Sequence, residues 1–462
     1  MSVPSVLWFR RDLRLADHPA LAASGHDVVG LFVIDPSLIG EVGPSRAQYL
    51  AATLESLNAS IGGRLVVRVG DPVAIVPQVA REAGAATVYA TMEYTPRGRD
   101  RDDRVANRLS ADGRSWCAVG SPYVVEPATT YGASGQPYRV FSGFRRAWLS
   151  RLGEPPISLG EVNWVALDGV GASALVAEAG RRRPHFFGDL PDGPSLHLPG
   201  AGEPAAAVAL ERFASRLERY DVERDRPDLD ATSRLSAFLR FGVLHPRTVL
   251  ARLDGPSAAA AKLRDELCWR EFYADVLAHH PSSAWRAFRP SMASVRVDRG
   301  PRAEERFRTW ARGETGFPVV DAGMRQLLAE GWMHNRVRMN TASFLVKHLH
   351  LDWRWGAKWF LWRLVDGDLA SNQHGWQWVA GTGTDAAPFF RIFNPTRQAE
   401  RFDPHGDYVR RYVAELADVA VPHCLRPGAA PMSGYPAPMI DLANERTEAL
   451  ARYAAAVHPS PT

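Results

Sequence analysis

Lysine is nearly absent from this 462-residue chain: only Lys262, Lys347 and Lys358 occur, so 52 of the 55 basic residues are arginine. With 51 acidic residues the formal net charge is only +4, which excludes a histone-like polycation. An arginine excess fits a GC-rich coding sequence, and it equally fits recognition of phosphates or carboxylates by planar guanidinium forks. Composition does not choose between them. Cysteine is scarce too. Cys117, Cys268 and Cys424 lie far apart, with no CxxC and no paired-histidine spacing. That argues against a disulfide framework or a structural metal site and fits a reducing compartment. No run of 18 apolar residues exists, and the opening MSVPSVLWFRRDLRL has Arg and Asp where a signal peptide needs an apolar stretch. The expectation is a cytoplasmic protein with no membrane span and no metal.

What is present has two textures. Short β-rich runs recur at residues 3–9, 27–34, 64–69, 87–94 and 116–120, separated by segments such as 45–61 and 72–83 with apolar residues at helical spacing. Strands alternating with helices predict a parallel, Rossmann-like sheet covered on both faces, an α/β domain over residues 1–125. No GxGxxG follows the first run, so the usual dinucleotide fingerprint is missing. Residues 126–203 are rich in Pro and Gly around one helical segment at 141–152 and read as a long interdomain linker. From 204 to 462 the strand signal vanishes, and an all-α domain is predicted.

Aromatic residues concentrate in that helical part: ten of the 14 Trp follow residue 268, and six fall between positions 353 and 378. Trp355, Trp359 and Trp362 share one helical face, which by itself is ordinary core packing. Trp376 and Trp378 differ, because they lie in SNQHGWQW, after the acidic pair Asp366 and Asp368. Around Arg234, the hydroxyls of Thr232, Ser233 and Ser236 suit a phosphate at a helix start, although such residues are most often plain caps. DELCWREFY puts Glu266, Trp269, Arg270 and Tyr273 on one helical face, where Glu266 with Arg270 also reads as a surface ion pair. In GWMHNRVRMNTASF, Asn335, Arg336, Arg338 and Met339 form a polar and cationic group in an apolar setting. A buried Arg there needs a partner, and Asp366 or Asp368 could supply it.

Taken in order, WFRRDLRLADHPAL, TSRLSAFL, ELCWREFY, GWMHNRVRM, DGDLASNQHGWQW and TGTDAAPFFRIFNP resemble the DNA photolyase and cryptochrome family across nearly the whole chain. The resemblance implies FAD held by the helical domain, with Tyr220, Thr232, Ser233, Arg234, Leu235 and Ser236 around its phosphates and ribitol. Arg270, Arg338, Asp366, Asp368 and Asn372 would surround the flavin. Arg338 keeps its charge beside a reduced, anionic flavin, and Asn372 offers a neutral group to flavin N5. Glu266, Trp269, Asn335, Met339 and Trp378 would face the substrate, and Arg224, Arg336 and Arg391 the DNA phosphates.

The resemblance is nearest to the class I cyclobutane pyrimidine dimer photolyases of the deazaflavin-antenna type. It implies a monomer that flips a dimer from DNA and splits it by light-driven electron transfer from reduced FAD. Against a six-four photolyase, the HNRVRM segment has only His334 before Asn335. Against a cryptochrome-type photosensor, no long tail follows the last helical pattern at 440–457. An electron-transfer flavoprotein would not need the helical-domain motifs. For the antenna, Gly98 stands where folate-binding members carry an acidic residue, so methenyltetrahydrofolate is the weaker expectation. GRDRD resembles members that bind 8-hydroxy-5-deazaflavin, with Arg11, Asp100 and Arg101 as contacts. Trp376 and Trp353 match the first two members of the family's electron-carrying Trp chain. The third is missing, with Val297 or Gly300 at the matching positions, and diversion through Trp355, Trp359 or Trp362 is expected.

Overall fold

The structure is a computed structural model that describes residues 3–191, 195, 197–253, 255, 257–386, 388, 391–429 and 434–457. Residues 192–194 and 196 of the Pro/Gly-rich stretch, and Ala387, Phe389 and Phe390 of TGTDAAPFFRIFNP, lie outside the described residues. The chain divides into two compact units. One comprises Met1–Arg183, Leu198–Glu218 and Ser233–Pro281; the other comprises Pro184–His197, Arg219–Thr232 and Ser282–Thr462.

The first unit is built on a parallel sheet of β1 (Ser5–Phe9), β2 (Asp27–Ile34), β3 (Val66–Val69), β4 (Thr87–Ala90), β5 (Ser115–Ala118) and β6 (Asn163–Trp164). Its order is β3-β2-β1-β4-β5, with β6 also paired to β2. Strand β1 is buried at every position, and β2 at all but its first, as strands covered on both faces must be. Val6, Trp8, Val29, Leu31, Val76, Val79 and Val88 belong to its core. β6 was not anticipated, since two residues carry no periodic signal; it uses the β2 edge at Asp27 and Val28, below the β3 pairing. The order reverses between β1 and β4, and there the segments leaving the two strands open a recess lined by Arg10, Arg11, Thr91, Met92, Glu93 and Pro122. In doubly wound sheets that is the ligand end.

Helical segments complete this unit. Gly242 approaches the turn after β1 so closely that a Cβ there would lie 1.9 Å from the Arg11 carbonyl oxygen. The helix Ala258–His279 fastens the chain leaving the sheet through two buried carboxylates. Glu271 accepts from the Val124 and Val125 N–H groups (2.7 and 2.9 Å) and from Trp148 Nε1 (2.7 Å). One turn later, Asp275 accepts from the Ala128 N–H at 2.8 Å. Burial pushes both carboxyls up, Asp275 to about 7. Its Oδ2 meets no donor among the described residues.

The described residues of the second unit form helices and connecting loops. Helices Pro301–Arg312, Pro318–Glu330, Asn335–Ser343, Trp353–Arg363 and Leu369–Ala380 surround a core containing Phe307, Trp310, Met324, Trp359 and Trp376. The third of these runs on as a π-helical turn, Phe344–His348. No described helix is long and apolar enough to cross a membrane.

The raised Asp275 pKa sets a sign. Protons are released on unfolding between about pH 4 and 7, so Asp275 makes the native state lose stability as pH rises through that window. Asp275→Asn keeps an acceptor for Ala128 and carries no charge. Its urea midpoint should match wild type at pH 4 and exceed it at pH 8, with an unfolding free energy larger by roughly 2–4 kcal/mol at the higher pH. Equal midpoints at both pH values would mean that the carboxyl is ordinarily hydrated.

Candidate functional site

The expected residues fall in three groups, two in the first unit and one in the second, and each is described by itself. At the recess of the first unit, Arg10 and Arg101 each lie 4.8 Å from the centre of the Trp8 ring, and both pair with Asp102. Arg11 reaches Glu93 at 3.8 Å, and Glu93 also accepts from the Tyr94 and Thr95 N–H groups. Burial works to raise the Glu93 carboxyl, but Arg11, Arg101 and Arg10 overcome it and hold it at about 2. Gly98 has a steric reason here. A Cβ at that position would lie 2.2 Å from Glu93 Cγ, so Glu93 occupies the space into which a side chain at 98 would grow. Asp100 does not line the recess; it is solvent-exposed and 4.0 Å from Arg104. Arg10 and Glu93 were not among the expected site residues, although Arg10 directly follows β1 and Glu93 lies three residues beyond β4, on either side of the switch point.

On Ala258–His279, Trp269 stacks face to face on Phe141, with centroids 3.7 Å apart and planes at 5°. One indole face is therefore covered by a partner that sequence spacing could not reveal. Glu266 pairs with Lys262 at 3.9 Å rather than with Arg270. Arg270 instead donates to the carbonyls of Pro122 and Leu239, both at 3.2 Å, and lies over Tyr123. Ser233 does not cap the helix Ser236–Phe241: its Oγ accepts from the Leu235 N–H at 3.4 Å, and Leu235 is the N-cap. Arg234 between them has a left-handed backbone, φ 54°, a conformation that costs energy in a non-glycine residue. Ser236 is exposed.

In the second unit Arg338 donates to Asp366 Oδ2 at 2.7 Å and to the Met333 carbonyl at 2.7 Å. This is the partner the sequence called for. Asp366 Oδ1 is buried and meets no donor among the described residues, so the pair is complete only on one side. A flavin fits that vacancy of donors, since its imide N–H and ribityl hydroxyls both donate. Asp368 caps the helix Leu369–Ala380, accepting from the Ser371 N–H at 3.0 Å. Asn372, one turn on, donates to the Ala357 carbonyl at 3.1 Å. Tyr220 is buried with Arg224 over its ring at 5.8 Å, and Thr232 is half-buried. Asn335 is exposed at its helix start, whereas Met339 is half-buried. Arg336 is engaged by Asp225 at 2.7 Å and lies 4.5 Å over Phe402. Arg391 is exposed and sits 5.9 Å from the Trp378 ring; its carbonyl accepts from Lys347 at 2.9 Å. Burial and the Arg391 charge pull the Lys347 ammonium down to about 8.

Trp376 is buried between Phe360 (5.0 Å) and Trp310 (6.2 Å), both edge-on. Trp310 was not among the expected site residues. Trp353 is buried at the first position of its helix. Trp355 stacks on Phe186, while Trp359 and Trp362 pack on Phe187, so all three contribute to core packing, a role that does not conflict with passing electrons.

A sequence model described as DNA photolyase matches residues 5–159, and one for the FAD binding domain of DNA photolyase matches residues 263–455. The chain is also 38% identical to the deoxyribodipyrimidine photo-lyase of Agrobacterium fabrum, over 98% of both chains. The chain belongs to the DNA photolyase/cryptochrome family. Among solved photolyases, the bacterial class III enzyme from Agrobacterium tumefaciens superposes with a TM-score of 0.88 at 36% identity, covering 99% of this chain and 98% of that one. The archaeal photolyase from Sulfolobus tokodaii, described with two FAD molecules, gives 0.82 at 27% identity over 97% and 99%.

Within this photolyase-family fold, Gly356 lets the two helices around Trp376 close: a Cβ there would lie 2.1 Å from Trp376 Cη2. Helix propensity alone favours Gly356→Ala by about 1 kcal/mol. The clash should outweigh it, lowering stability by about 1–3 kcal/mol and the thermal midpoint with it. A raised midpoint would mean that the ring has room to move.

Proposed function

We propose that the chain is a light-driven lyase that reverts cyclobutane pyrimidine dimers in DNA, working as a cytoplasmic monomer. The full-length relationship to a deoxyribodipyrimidine photo-lyase carries this reading. When bound and reduced, FAD would supply light-driven one-electron chemistry with no net redox change. The chain's own residues do the rest. Arg338 would keep a permanent cation beside the flavin, paired with Asp366 Oδ2, while Asp366 Oδ1 would take a flavin donor. Asp368 starts the helix that brings Asn372 to flavin N5 as a neutral neighbour. Tyr220, Thr232 and Ser233 to Ser236 receive the phosphates and ribitol, and Arg270 completes the flavin set.

Glu266, Trp269, Asn335, Met339 and Trp378 recognise the dimer. Glu266 accepts from pyrimidine imides, Trp269 and Trp378 offer flat faces, and Met339 supplies an apolar contact. The Phe141 stack supports the wall role, because a backed indole is held in one orientation. Arg391, exposed beside Trp378, binds a phosphate directly, whereas Arg336 has to exchange Asp225 for one and Arg224 has to leave the Tyr220 face. Trp376 and Trp353 deliver electrons to oxidised flavin, and where the third family Trp is missing the chain is diverted through Trp355, Trp359 or Trp362; Trp310 lies 6.2 Å from Trp376 but matches a different family position.

Repair is tested on an oligonucleotide with one thymine dimer, using protein whose absorption spectrum shows flavin. Wild type should restore the thymines under blue light, and Glu266→Ala or Trp269→Ala should impair dimer affinity and repair while retaining FAD. A flavin-loaded wild type without repair would favour the photosensor reading.

The finer assignment, class I with a deazaflavin antenna, rests on GRDRD, on Arg11 lining the recess and on Arg101, which lies over Trp8 and pairs with Asp102. The likeness to a class III enzyme weighs toward that class, and the antenna separates the readings. Against folate, Gly98 offers no carboxylate and the nearby Glu93 is spent on Arg11 and two N–H groups. Reconstitution with 8-hydroxy-5-deazaflavin should add a blue absorption band and energy transfer to FAD. Uptake of methenyltetrahydrofolate alone, or of a second FAD, would overturn the assignment.

A further inference from the structure

Indole rings carry large apolar surfaces and are mostly buried. Trp285 is 51% exposed. It projects from a turn in which its own N–H and that of Arg286 both bond to the Ser282 carbonyl, at 3.2 and 2.9 Å. The turn is fastened on both sides of the indole. Before it, the carbonyls of Ser283 and Ala284 accept from Gln377 Nε2 (2.7 Å) and Gln373 Nε2. After it, the Phe288 N–H donates to Gln377 Oε1 at 2.8 Å, and the Arg289 N–H to the Thr382 carbonyl at 2.8 Å. Gln373 and Gln377 lie one turn apart on Leu369–Ala380, the helix that also carries Trp378. An exposed ring on a backbone held this way is already in place for a partner and loses little freedom on meeting it.

The charge near it in the chain selects the partner. Arg286 and Arg289 follow the ring by one and four positions, both are exposed, and neither is ion-paired among the described residues. No acidic residue occurs from position 281 to 297, and Arg296 in that stretch is paired with Glu448. The Thr382 carbonyl holds the Arg289 backbone. A flat apolar ring with exposed cations close by in the chain fits a nucleobase and its phosphates.

We propose that Trp285 stacks on a base left without its partner or neighbour when the dimer leaves the duplex, while Arg286 and Arg289 bind flanking phosphates. This rests on the dimer-repair reading and adds to it a contact outside the lesion pocket.

The test is dark equilibrium binding of flavin-loaded protein to a duplex with one thymine dimer and to the same duplex undamaged. Trp285→Ala should bind the dimer duplex about 5- to 100-fold more weakly, with an unchanged salt slope. On the undamaged duplex its loss should stay below about twofold, and Trp285→Phe should recover most of the affinity. Arg286→Ala and Arg289→Ala should each flatten the salt slope by about one charge on both duplexes. Wild-type affinity in Trp285→Ala overturns the proposal and leaves the indole to a protein partner. Equal losses on both duplexes, or no rescue by Phe, also overturn it. A wild type that does not prefer the dimer duplex removes the repair reading itself, a result visible before any variant is compared.

Discussion

The Arg338–Asp366 ion pair is the constraint on which the helical unit depends. Removing two charges from water costs several kcal/mol per ion, and one mutual contact does not offset that unless the remaining donors and acceptors are also met. Arg338 is satisfied through Asp366 and the Met333 carbonyl, but Asp366 Oδ1 is left open. The pair therefore ties the helix Asn335–Ser343 to the start of Leu369–Ala380 and leaves one acceptor for a ligand. Asp368 and Asn372 follow on the same segment, so a single electrostatic contact sets the position of three polar residues in the proposed flavin set.

Buried carboxylates organise the first unit in the same way. Glu271 and Asp275 gather the backbone N–H groups of the chain leaving the sheet, and Glu93 gathers those beyond β4 while neutralising a group of arginines. With almost no lysine in the chain, these sites use guanidinium groups, whose flat faces also stack on Trp8 and Tyr123. The arginine excess thus acquires structural uses that composition did not specify.

The aromatic rings separate by environment. Trp310, Trp359 and Trp376 are sealed in the helical core, where close packing makes even one methyl group at position 356 consequential. Trp269 and Trp378 are half-buried and Trp285 is exposed, each fastened from behind. Rings of the first kind stabilise the unit, and those of the second kind keep part of their surface exposed.

The alternation of strands and helices, the helical character of the later chain and the family motifs were legible in the sequence, because each is written in neighbouring residues. A strand buried on both faces must be an apolar run, and a helix face repeats every three or four positions. Even the need of Arg338 for an acidic partner followed from its apolar setting. Partner choice was a different matter. That Glu266 meets Lys262, that Phe141 backs Trp269, that Glu93 fills the space at Gly98 and that Trp310 borders Trp376 depend on segments up to 128 positions apart being packed together. Exposure was equally hidden, since Trp285 and Trp310 are the same letter in the sequence. The local code determined which chemistries are available, and only tertiary packing decided which groups are consumed by the fold and which are left free to bind.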